Sequence, residues 1–129
     1  MSKYVFGKTV GLDFDKAVEA VTQELSKEGF GVLTEIDVAA TLKKKLGLER
    51  APYKILGACN PQFAARALEV EAQIGALLPC NVVVREDTNG KTVVEFMDPH
   101  AVLNLTDRPE VGEIAVEVRS RLQRVMDAL

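Results

Sequence analysis

The segment NVVVREDTNGKTVVEFM, Asn81 to Met97, decides the fold. Two β-branched runs flank Asn89-Gly90, a dipeptide suited to the positive φ angles of a two-residue hairpin turn. Folding the segment about that turn groups Val83, Val94 and Phe96 on one face, and Val82, Val84, Val93 and Met97 on the other. Both faces are then apolar. One can pack on helices, and the other needs a second cover, so a homodimer formed through a sheet face is the expectation.

Working upstream, LGACNPQFAARAL (Leu56–Leu68) follows a strand read over Tyr53–Cys59. Asn60 is placed to cap a helix and Pro61 to sit at its first position, where a missing N–H costs nothing. Phe63, Ala67, Val70, Ile74 and Leu77 keep one helical stripe, with Gly75 as a candidate break. The Gly57-Ala58 pair within the strand predicts close approach by another element.

The first half repeats the alternation. Tyr4–Leu12 reads as a strand, and Asp13 caps a helix carrying Phe14, Val18, Val21 and Leu25 up to Gly29. FGVLTEID is a second strand with Phe30, Val32, Thr34 and Ile36 on one face. Asp37 then caps a short helix whose stripe is Val38, Leu42 and Leu46, ending at Gly47. The C-terminal helix, about 109–128, carries Val111, Ile114, Val118, Leu122 and Val125 on one side. The order β-α-β-α-β-α-β-β-α predicts a single α+β domain over 1–129. It has two layers: a mixed sheet with a C-terminal hairpin, packed against helices.

Composition narrows the function classes. At 129 residues and 47% hydrophobic, the chain can bury a core without disulfides or metal. A net charge of -3 gives no reason to expect nucleic acid, and no apolar run is long enough to span a membrane. A cytoplasmic location is the expectation, because nothing at the N-terminus reads as a signal peptide. Lys43-Lys44-Lys45 read as the wet face of the second helix, since Leu42 and Leu46 mark its other side.

Three groups carry candidate chemistry. Cys59 precedes a helix N-terminus, a setting that favours a thiolate, yet its small apolar neighbours favour an inert buried thiol. Cys80 lies 21 residues on, beside Asn81. If a helix crosses between parallel strands, the two cysteines sit at opposite sheet edges, too far apart for an intrachain disulfide. The exceptions are a helix that folds back at Gly75, or a bridge across a dimer interface. His100, the single histidine, could join Cys59 and Cys80, with Asp98, as a metal set, although the spacing matches no zinc motif. Asn60 and Asn81 could be ligand-binding amides or local caps.

The stretches FDKAVEAVTQELSKEGFGVLTEIDVAATLKKKLG, YKILGACNP, IGALLPCNVVVRE and MDP resemble the prokaryotic domain-of-unknown-function family 302, over roughly residues 5–100. The resemblance implies a compact α+β domain that assembles as a dimer. It brings no established reaction, cofactor or catalytic residue. The leading expectation is a dimeric module binding a small ligand, an anion at the free N–H groups near Cys59, Asn60 and Asn81, or else a partner. The alternative is a thiol-dependent enzyme or a redox or metal-binding protein using Cys59, with Cys80 or His100.

Overall fold

The computed structural model describes residues 2–129. Five strands, β1 (Val5–Val10), β2 (Gly31–Asp37), β3 (Tyr53–Cys59), β4 (Cys80–Glu86) and β5 (Thr92–Met97), form one sheet in the order β1-β5-β4-β3-β2. Every neighbouring pair is antiparallel. The domain is α+β as expected, but the sheet is not mixed. The chain between β3 and β4 returns along its own path instead of crossing over. Helix α3 (Pro61–Val70) stops at Glu71, whose φ of -140° and ψ of 98° leave the helical region, and a 3₁₀ segment runs from Ala72 to Leu77. The fold-back therefore occurs at Glu71, ahead of Gly75.

Local capping signals hold where they were read. Asp13 accepts from the Lys16 N–H, and Asp37 from the Ala40 N–H, each at 2.9 Å, opening α1 (Phe14–Lys27) and α2 (Val38–Leu46). Gly29 and Gly47 follow these helices at φ of 84° and 65°, the left-handed region that glycine enters without a Cβ penalty. A short helix, α4 (Pro99–Leu103), was not foreseen in MDPHAVLNL. Asp98-Pro99 repeats the cap-then-proline signature of Asn60-Pro61, so the signal was present. The last helix, α5, runs from Pro109 to Asp127.

The hairpin register differs by one residue from the sequence reading. Glu86 pairs with Thr92 and Val84 with Val94, which leaves a three-residue loop, Thr88-Asn89-Gly90. Asp87 decides this: its carboxylate accepts the N–H groups of Asn89 and Lys91, at 2.9 and 3.0 Å. Gly90 alone takes a positive φ, 74°. A one-residue slip exchanges faces. Hence Val82, Val84, Val94 and Phe96 point together into the core at 0% exposure, while Val83, Arg85, Val93 and Glu95 face outward. A bulge between Val32 and Thr34 similarly splits the face read for β2. Val32 packs on the core, whereas Ile36 shares the outer face with its partner Ile55 and stays 48% exposed.

Burial on the inner face drives the fold. α1 contributes Ala17, Val21 and Leu25, and α5 contributes Val111, Ile114, Ala115, Val118, Leu122 and Val125, packed on Leu56 and the hairpin valines. Phe6 of β1 stacks on Phe96 at 5.3 Å between ring centres. The stripe of α2 does not join this core. None of its residues is buried, and Leu46 is 72% exposed.

Candidate functional site

The antiparallel register brings together what the sequence reading had separated. Ala58 lies directly opposite Cys80, so Cys59 stands one residue beyond the partner of Cys80. Side chains alternate along a strand, and Gly31, opposite Cys59, is exposed while Val32, opposite Ala58, packs inward. The two cysteines are thus neighbours in the backbone at one end of the sheet, one residue out of phase. Both are free thiols. Proximity does not make a bridge here, because a disulfide also needs converging Cβ directions.

A cavity of about 360 Å³ opens at this end of the sheet. Its floor includes Ala58 and Cys80, and its walls are Phe63, Ala64, Ala67 and Leu68 from α3, with Ile114 and Val118 from α5. Phe30, Leu33 and Thr34 of the β2 region, Cys59-Asn60 and Leu78-Pro79 complete the lining. No charged side chain is among these residues. Burial pushes the Cys80 thiol up to about 11, with the nearby Cys59 adding to the effect. At neutral pH Cys80 is therefore a small, uncharged apolar wall.

Asn60 is buried and already employed. Its Oδ1 accepts from the Phe63 N–H, and its Nδ2 donates to the Glu28 carbonyl, both at 3.5 Å. The same carbonyl accepts from Arg121 Nη1 at 3.0 Å, and Arg121 lies 4.9 Å over the Phe63 ring. Arg124 grips the Glu28 carboxylate through two nitrogens, at 3.1 and 2.9 Å, which holds that carboxyl below its ordinary range.

Of the residues singled out in the sequence, Cys59, Asn60 and Cys80 meet at the cavity, and Asn81 and His100 do not. Asn81 pairs with Gly57 and is exposed, one residue out of phase with Cys80. His100 is exposed on α4, and its Nδ1 lies 3.4 Å from the Asn104 amide. Among the described residues, no three His, Cys, Asp or Glu side chains gather as a metal set. The sequence reading missed the cavity walls. Ala67, Ile114 and Val118 read as ordinary stripe residues and Ala64 lay off the stripe, and their small or branched side chains signal space only once α3 and α5 are side by side.

A family model described as "Domain of unknown function DUF302" matches residues 6–129. The chain belongs to this family. The match runs through α5, well beyond the segment where the resemblance was read, so the C-terminal helix is part of the family's domain. The crystal structure of an uncharacterised conserved DUF302 protein from Bacillus stearothermophilus is similar, with 33% identity and a TM-score of 0.91 over 98% of each chain. No functionally curated protein matches the chain. Within the DUF302 family no activity is thereby established for it. Among the described residues, no helix is long and apolar enough to cross a membrane.

Proposed function

We propose that the chain is a small-molecule-binding module whose ligand is compact, neutral and apolar. The observation that carries this is the cavity lining: about 360 Å³ of space bounded by fifteen residues, none of them charged. That volume lies in the range of ligand sites, roughly 300–1,000 Å³. An anion entering it would lose its hydration and find no charged partner, which argues against the anionic ligand expected from the helix N-terminus. The thiol-chemistry alternative has less behind it. Cys80 is held protonated, and His100, the single histidine, is absent from the cavity lining.

The test is a fluorescence titration with N-phenyl-1-naphthylamine, a neutral apolar probe. Saturable binding with one probe per chain, abolished by the cavity-filling change Ala64→Phe, is the expected result. No saturable binding by the wild-type protein, or equal binding by the filled variant, would overturn the reading.

A dimeric form of this module is the second part of the proposal. A two-layer fold leaves the outer sheet face uncovered, and there Ile55, Val83 and Val93 are half-buried beside the exposed Ile36. The Arg85–Glu95 ion pair, 2.7 Å long, crosses that face and would set its register against a second copy. Light scattering at high concentration reads this directly, and a strict monomer sinks it.

A further inference from the structure

We infer that α3 is a gate over the cavity and that Arg121, held at the Glu28 corner and lying over the Phe63 ring, is its latch. The inference rests on the ligand-binding reading and concerns how that site opens.

Burial identifies the moving part. Of the ten residues of α3, Ala67 alone is buried, and Leu68, which lines the cavity, is 45% exposed. The helix packs mainly on α5 and on the 3₁₀ segment that follows it. The floor is different: Ala58 is at 0% exposure and Cys80 at 7%. Of the two helices that wall the site, α3 is the one whose displacement uncovers less apolar surface. It also has joints at both ends. Asn60 and Glu71 each have extended backbone angles, so the helix is a separate rigid piece between two non-helical residues.

The clasp sits where α1 ends. Glu28 offers one carbonyl to donors from two elements, Asn60 of the α3 cap and Arg121 of α5. The Asn60 bond is long at 3.5 Å and holds the α3 cap weakly, while the 3.0 Å bond fixes the Arg121 guanidinium on the corner. Arg121 also covers the Phe63 ring, which ties the first turn of α3 to the same side chain. Arg124 anchors the Glu28 carboxylate and keeps the corner in place. Gly29, at φ 84°, is part of the device: a Cβ there would stand 3.0 Å from Asn60 Nδ2 and 3.4 Å from Arg121 Nη1.

Residue-resolved amide exchange of the full chain tests this with no ligand present. In the wild-type protein, the amides of residues 64–70 are expected to exchange through a local opening, faster than those of residues 115–125. Arg121→Ala is expected to speed α3 exchange about tenfold, from loss of the cation over the Phe63 ring, with the interiors of α1 and α5 unchanged. Arg121→Lys, which keeps the charge and one donor, gives a smaller acceleration. With N-phenyl-1-naphthylamine added, α3 should slow while α1 stays as it was. Exchange of α3 in step with α5 in every variant overturns the gate, as does uniform acceleration in Arg121→Ala. Selective loosening of α3 supports the gate even if the probe fails to bind, so the two readings fail separately.

Discussion

Alkylation of Cys80 should be suppressed by about two orders of magnitude for as long as the chain is folded. Burial, and then the neighbouring Cys59, move its thiol from 9.0 to about 11. At pH 8 an ordinary thiol is ionised roughly one part in ten, and this one roughly one part in a thousand, so ionisation alone slows it about 100-fold. Iodoacetamide labelling at pH 8, read by peptide mass mapping, separates the two cysteines. Cys59, which is half-buried, labels first, and Cys80 labels at an ordinary rate only after unfolding in urea. Cys59→Ser removes the secondary cause and leaves burial, so Cys80 should quicken only modestly. The same shift carries a stability consequence. A thiol whose folded pKa is raised favours the fold while protonated, so its contribution is complete below pH 9 and lost as pH rises through about 11. The loss is about 3 kcal/mol across that window, and it should be absent from the slope measured for Cys80→Ala. Labelling of Cys80 in the folded protein at the rate of a free thiol would refute the reasoning.

Gly57→Ala would press a Cβ against Thr34 Oγ1 and to within 2.9 Å of Pro79 Cγ, costing about 1–3 kcal/mol in urea unfolding. A Thr34→Ala background should return part of that loss, and a double mutant no better than the single one contradicts the contact. Asp87→Ala removes the acceptor for two turn N–H groups and should lower stability by about 1 kcal/mol, seen as a drop in Tm of about 4 °C. An unchanged Tm would mean that the loop does not depend on that carboxylate. Leu122→Ala should cost about 2–5 kcal/mol, because Leu122 is fully buried, whereas Leu46→Ala should change stability by about 0.5 kcal/mol or less. A large loss in Leu46→Ala would show that the α2 stripe is covered in solution.

What the sequence by itself determined are the events decided within four residues. Asp13, Asp37 and Asn60 each cap a helix through a bond to the N–H three positions on, and Gly29 and Gly47 close helices where only a left-handed residue fits. The α5 stripe was legible for the same reason, since a 3.6-residue period is carried by the chain itself. Asp98-Pro99 carried an equal signal and shows that local legibility still has to be used. The hairpin register was local too: Asp87 bonds the N–H groups two and four residues on and sets a three-residue loop, which exchanges both faces of the hairpin. Only the tertiary structure decided the antiparallel run of β3 against β4 and the meeting of Cys59, Asn60 and Cys80 around one cavity. The first turned on a helix break at Glu71, which no glycine or proline announces. The cavity is decided last, because empty space belongs to no residue: Ala64 and Val118 enclose it only once α3 and α5 lie together.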